Sequence, residues 1–249
     1  MKTILKIDLT TYLIIVLSLF CARFKDVIIL FIILVYHELG HLYWLKRYNK
    51  EVVSITVYPF GGITKYNSLV NHNIKEEILI SLGGIINQII LYLPLIIIYN
   101  LKLINFYTYD MFLTYNTLLI FFNLLPIIPL DGSKFFNLLL ELFLPYHLSN
   151  KIIIVTSIIT LLIMLTITLN LKINTLIILS FLIYQLILFI KNVKYLENQF
   201  ILEKYLYHLP YRKIRYLKKY NKNKFYQSTY HYFNYVPETK ILSNMFDKT

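Results

Sequence analysis

The sequence predicts an all-α membrane protein: six transmembrane helices, a short re-entrant β-hairpin after the second span, and a short basic helical tail. Three observations carry this. Of 249 residues, 57 % are hydrophobic and 15 % charged, whereas a soluble domain carries about a quarter charged residues. Six apolar runs, at 10–24, 27–45, 78–99, 111–130, 152–169 and 175–190, each come near the roughly 17–25 residues that span a bilayer core as a helix. With both termini inside, 21 of the 25 Lys and Arg fall on the inner side, as the positive-inside rule requires. The mean hydropathy of +0.59 excludes a disordered chain, a collagen and an ordinary soluble enzyme. The lone cysteine, Cys21, excludes a disulfide framework. An integral multi-pass protein of a bacterial cell membrane with cytoplasmic termini is expected.

The first run follows Lys2 and Lys6 and lacks a small-x-small cleavage site at its exit, so it is expected to be retained as an anchor. The second run ends among Tyr43, Trp44 and Tyr48, an interfacial aromatic group. Residues 52–64 differ: Val52, Val53, Ile55, Thr56, Val57 and Tyr58 favour strand, and Pro59-Phe60-Gly61-Gly62 favours a turn. Unpaired strand backbone cannot face lipid, which predicts an interfacial or re-entrant hairpin. Glu76 and Glu77 open the third helix and complement its dipole. The composition changes near Asn192, giving a six-span domain over 1–191 and a basic, Tyr-rich juxtamembrane tail over 192–249. Lys191 to Lys248 supply 12 basic residues, and ten of the 23 tyrosines lie in the tail. One or two short helices interrupted at Pro210 are expected there. The tail should rest on anionic lipid, at roughly 1 kcal/mol per Lys or Arg. No nucleic-acid partner is expected, because no recognised module accompanies the charge.

Chemistry is concentrated in His37-Glu38-Leu39-Gly40-His41. On a helix, residues i and i+4 lie about 40° apart in angle and about 6 Å apart in rise. Two imidazoles on one face can share a divalent metal, and Glu38 can reach a water on it. This is the zinc-hydrolase pattern of two ligands and a general base. Random placement of six His and eight Glu gives roughly 0.005 such matches per chain. Ionisable groups at mid-bilayer cost roughly 2.5–3.5 kcal/mol each, so three within five residues require compensation. The alternative is a polar patch lining a helix interface.

A catalytic zinc takes three protein ligands and keeps one open position. The other acids in or beside apolar runs are Asp8, Asp26, Asp110, Asp131 and Glu141. Asp26 and Asp110 belong to outer ends of their spans, and Asp8 has no marked context. Asp131 lies at the inner end of the fourth span, where Pro126 and Pro129 break the helix and broken helices line enclosed cavities. Alternatively, Asp131 caps the helix that follows.

The HExxH sequence within a membrane helix, joined to residues 123–132 in the form N-x-x-P-x-x-P-L-D-G, resembles the site-2 protease family of intramembrane zinc metalloproteases. Within that family the sequence is most similar to the stage IV sporulation factor FB branch. Residues 35–41, 59–62, 75–77 and 115–134 carry the likeness, which extends over about residues 1–205. It implies one zinc per chain held by His37, His41 and Asp131, with Glu38 as the base. It also implies a membrane-tethered substrate cut near the inner surface. In that branch the substrate is the pro-form of a mother-cell sigma factor, and inhibitory membrane proteins are partners. Two positions depart from the pattern: Gly84 replaces the proline of A-G-P-x-x-N while Gly83 and Asn87 are kept, and Ser133 stands where the branch tends to have glycine. That branch commonly ends in a nucleotide-sensing CBS domain, for which the tail is too short, so the resemblance leaves nucleotide control open.

Asn123 is expected to bind substrate or orient the water; interhelical hydrogen bonding is the other use of such a residue. His72, His147, His208 and His231 read as interfacial or packing histidines. The competing functions are a non-enzymatic scaffold or a metal transporter of the same fold. A transporter needs ligands along a path, whereas the candidates here cluster at one depth. An inactive relative would have lost Glu38 or a ligand.

Overall fold

A computed structural model describes residues 4–7, 24–58, 61–66, 69–71, 73–167, 173–207, 211 and 213–246. Residues 10–23 of the predicted first span lie outside that set, as do Pro59, Phe60, His72, His208 and Pro210. The chain divides into two compact units: Met1–Asn67 with Leu79–Leu125, and Ser68–Ile78 with Pro126–Thr249.

In the first unit, β1 (Ile4–Ile7), β2 (Val52–Tyr58) and β3 (Gly61–Tyr66) form one sheet in the order β1-β2-β3. The predicted hairpin is present, with Thr56 opposite Ile63 in an antiparallel pair. A strand from the N-terminal flank joins it in parallel, with Lys6 opposite Thr56. Helix α1 (Phe24–Arg47) has Asp26 in its first turn and Lys46 and Arg47 in its last, each matched to the helix dipole. It buries Ile29, Ile33, His37, His41 and Leu45 on one face and exposes Ile28, Phe31, Ile32, Val35, Leu39 and Tyr43 on the other. An apolar exposed face of this kind is suited to lipid.

The predicted third span is two helices, α2 (Ile74–Ile90) and α3 (Tyr92–Asn100), interrupted at Leu91. Pro94 explains the break: it has no N–H to donate to Ile90, and its ring crowds that carbonyl. Helix α4 (Phe106–Leu124) starts at Asn105, whose Oδ1 accepts from the Thr108 N–H at 2.9 Å. It ends because Leu125 is extended before Pro126. Ile29, Ile33, Leu91, Leu95 and Met111 form the apolar core of this unit.

The second unit contains α5 (Asp131–Glu141), α6 (Tyr146–Ile167) and α7 (Ile173–Leu206). The boundary drawn at 191/192 falls inside α7, which runs on for 15 residues beyond it. The tail is not simply helical. Strands β4 (Lys213–Leu217), β5 (Thr229–Phe233) and β6 (Val236–Pro237) form a second sheet, followed by α8 (Glu238–Phe246). Thr229, His231 and Phe233 are buried while Tyr230 and Tyr232 are less so, the period-two pattern of a half-buried strand. Asn234 and Tyr235 both have positive φ, as a two-residue hairpin turn requires. Phe200, Ile201, Phe225, Phe233 and Leu242 make the core of this unit with Tyr146.

Among the described residues four stretches are long and apolar enough to cross a membrane: Phe24–Arg47, Ile74–Asn100, Tyr146–Ile167 and Thr175–Leu206. The predicted span 111–130 corresponds to α4, which includes Asp110, Asn116 and Asn123 and is not among the four.

Candidate metal centre

The centre is built on a close helix crossing. A Cβ on Gly40 of α1 would collide with the Gly83 carbonyl of α2, and one on Gly83 would collide with the Gly40 carbonyl and Trp44. Small residues therefore let the two backbones touch. One residue further along α2, a Cβ on Gly84 would run into the His37 ring. The glycine found where a proline was expected is thus the floor on which that imidazole lies. Asn87 Nδ2 donates to the Tyr36 carbonyl, tying α2 to α1 immediately before His37.

Both imidazoles are buried, and each is oriented through Nδ1. His37 Nδ1 donates to Gln88 Oε1 at 2.9 Å, and His41 Nδ1 donates to the Ile80 carbonyl at 2.7 Å. With Nδ1 as the donor, the neutral ring carries its lone pair on Nε2. The two Nε2 atoms lie 3.1 Å apart. In that tautomer the two Nε2 lone pairs repel at this separation. A cation between them turns the repulsion into attraction. Two nitrogens at about 2.0–2.1 Å from one tetrahedral zinc stand about 3.3 Å apart, close to the observed spacing. The residues therefore fit a divalent metal, with the orienting hydrogen bonds that metal-binding histidines have.

One ligand atom from each of His37, Glu38 and His41 lies within 4.8 Å of the others. Glu38 is half-buried, and its Oε2 accepts from Thr64 Oγ1 of β3 at 3.0 Å. Asn116 Nδ2 donates to the Gln88 carbonyl at 2.9 Å, so α4 braces the residue that orients His37. Asn123 is buried in the same helix.

Asp131 belongs to the second unit. It is buried as the first residue of α5, and Lys134 Nζ is 3.3 Å from its Oδ1. The preceding loop is tied to α6 by Ser157, whose Oγ accepts from the Ile128 N–H at 3.2 Å and shares its one proton between the Ile153 carbonyl at 2.7 Å and the Pro126 carbonyl at 3.2 Å. The broken helix end thus has its backbone groups engaged. The structure brings together His37, Glu38 and His41. It adds Gln88, the Ile80 carbonyl and Thr64, none of which was singled out from sequence. Gln88 carried a signal, being a strong polar group inside an apolar run. The Ile80 carbonyl is backbone and carried none.

Residues 26–108 match the model of peptidase family M50. The chain is 31 % identical over 157 residues to stage IV sporulation protein FB of Bacillus subtilis, covering 62 % of this chain and 54 % of that protein. It is also 31 % identical over 128 residues to a zinc metalloprotease of Methanocaldococcus jannaschii, covering 50 % and 37 %. The chain therefore spans about half or less of the length of these curated relatives. Among solved structures it is similar to the site-2 protease from Methanocaldococcus jannaschii, with a TM-score of 0.59 and 26 % identity over 73 % of this chain and 88 % of that one. Asn123 and Asp131 lie beyond the family-model match, whereas the histidine pair, Glu38, Gly83 and Gly84 lie inside it. The region of the crossing helices is thus similar in sequence to peptidase family M50 and in fold to a site-2 protease.

Proposed function

We propose that the protein is an intramembrane zinc metalloprotease that hydrolyses a peptide bond of a membrane-tethered protein near the inner membrane surface. The observation that carries this reading is the pair of Nε2 atoms 3.1 Å apart, close enough to share one ion, beside the Glu38 carboxylate. His37, His41 and Asp131 would hold one zinc per chain, completing the three protein ligands of a catalytic site. When bound, the ion supplies Lewis acidity towards water and the scissile carbonyl. Glu38 takes a proton from the attacking water and passes it to the leaving amine as the C–N bond breaks. Thr64 steadies that carboxylate through its hydrogen bond. Asn123 orients the substrate.

A helical peptide hides its carbonyl carbons, so the substrate must be extended when cut. Among the described residues β3 pairs only with β2, and β3 carries the Thr64 that reaches Glu38. A peptide added along the other edge of β3 would run past the carboxylate. The motif likeness to the sporulation branch makes the pro-form of a sigma factor the first substrate to try, with inhibitory membrane proteins as partners. The distribution of basic residues puts both termini on the cytoplasmic side, with the basic tail against anionic lipid.

The test is direct. Glu38→Gln in the full chain should keep its zinc and lower cleavage of a co-expressed tethered substrate by about 10²–10⁴-fold. Undiminished cleavage removes Glu38 from its role. Asp131→Ala should lower zinc content by elemental analysis, and unchanged stoichiometry would exclude Asp131 as a ligand.

A further inference from the structure

Three cations from three elements of the second unit converge on a cleft that the proposed protease chemistry does not use. The cleft measures about 440 Å³ and is lined by Lys151 of α6, Lys194 of α7 and Lys222 of the 3₁₀ turn Lys222–Lys224. Ligand sites run from roughly 300 to 1,000 Å³. All three lysines are exposed. Lys222 Nζ donates to Asn198 Oδ1 at 2.9 Å, which holds its head at the rim. The one carboxylate among the lining residues, Glu197, already accepts from His147 Nδ1 at 2.7 Å. Below the cationic rim the cleft is apolar, floored by Tyr146, Phe200 and Phe225, all buried.

The level of the cleft along the helices identifies the ligand. Lys151 immediately precedes the apolar run of α6, and Lys191 and Lys194 follow that of α7. Beyond the rim, α6 exposes Val155, Ile158, Ile159 and Leu162, and α7 exposes Ile183, Ile187 and Ile190. The cleft therefore sits where a hydrocarbon layer would end and headgroups begin. A soluble anion would use the lysines and leave the apolar surface idle; an amphiphile uses both.

We infer that this cleft binds one anionic phospholipid. Its phosphate lies among Lys151, Lys194 and Lys222, and its acyl chains run along the exposed apolar faces of α6 and α7. This site is discrete, unlike a diffuse attraction of the whole tail to a charged surface, and it does not rest on the protease reading. Each lysine near an anionic headgroup contributes a factor of about five in affinity.

The experiment uses the full chain in detergent, with native mass spectrometry counting bound phosphatidylglycerol or phosphatidylcholine. One phosphatidylglycerol should be retained in preference to phosphatidylcholine. The triple variant Lys151→Gln, Lys194→Gln, Lys222→Gln should bind it about 100-fold more weakly. The triple change of the same residues to Arg should keep it. Neutralising Lys218, Lys219 and Lys240, exposed cations away from the cleft, should leave it unchanged. Saturating inorganic phosphate should not displace the lipid. Equal retention of the two lipids overturns the inference, as does displacement by phosphate. Equal loss in the two glutamine triples also overturns it. If the cleft triple fails to fold, lipid preference and phosphate competition on the unmodified chain decide.

Discussion

Each unit buries histidine, and the two settings differ in what is left for the second nitrogen. In the first unit, His37 and His41 spend Nδ1 on neutral acceptors, the Gln88 amide and the Ile80 carbonyl, and turn Nε2 towards one another. In the second, His231 spends both nitrogens on the protein. Its Nδ1 donates to Glu238 Oε2 at 2.7 Å, and its Nε2 accepts from the Tyr226 N–H at 3.2 Å. The same carboxylate oxygen accepts the His231 N–H, and Lys204 Nζ stands 3.7 Å from the other oxygen. Burial is equally deep in both places. Nδ1 on a neutral acceptor with the two Nε2 atoms turned together marks the candidate metal site, and a carboxylate partner marks the brace; residue type alone does not separate them.

The sharpest way to break this comparison is to delete one histidine of each kind. His41→Ala should abolish zinc binding and cleavage together. His231→Ala should leave zinc content at the wild-type level and cost about 3 kcal/mol of stability, because buried Glu238 loses its imidazole donor and keeps only the longer Lys204 contact. Elemental analysis and thermal unfolding by circular dichroism read both. Zinc loss in the His231 variant would erase the distinction.

A smaller effect tests the orienting bond itself. Gln88→Leu removes the acceptor of His37 Nδ1 and should weaken metal binding about 10–100-fold. Competition with a chelator measures this. Unchanged affinity would mean that packing on Gly84 alone orients the ring.

A separate effect concerns pH and the second unit. Burial pushes the Glu141 carboxyl up to about 8 from 4.5, with Gln227 opposing and Glu77 adding to the rise. A raised carboxyl keeps a proton that the unfolded chain has lost. Its stabilising contribution is therefore complete below pH 4.5 and is lost as pH rises through about 8. The slope within that window is at most about 1.4 kcal/mol per pH unit. Burial lowers His231 from its ordinary 6.5, against the pull of Glu238. That group has the opposite sign: stability is lost as pH falls below 6.5. Glu141→Gln should remove the fall between pH 4.5 and 8 and leave the acid loss of His231 exposed. An unaltered pH profile of unfolding would contradict this assignment.

The helix of the candidate metal centre was legible because its chemistry and its periodicity coincide in one segment. His37 and His41 lie in register with Ile29, Ile33 and Leu45, so a single stripe predicts both burial and convergence. The helix break at Leu125 was legible because proline acts locally. The parallel strand Ile4–Ile7 was not: four residues pair with a partner some 50 positions away, and no local pattern records such a pairing. The tail misled because its basic composition suggested short helices resting on lipid. Alternation in Tyr230-His231-Tyr232-Phe233 was the better signal, and its buried members, His231 and Phe233, pack against Phe225. The break at Leu91 could have been read from Pro94 within an otherwise continuous apolar run.

The contact of Gly40 with Gly83 has a mechanical corollary. Two main chains that touch leave no side-chain cushion to be compressed, so α1 cannot slide or rotate against α2 without a collision. The level of the paired imidazoles is thereby pinned like a stop on a ruler. Adjustment at such a centre falls to whatever group approaches it, since the imidazoles themselves are held in place.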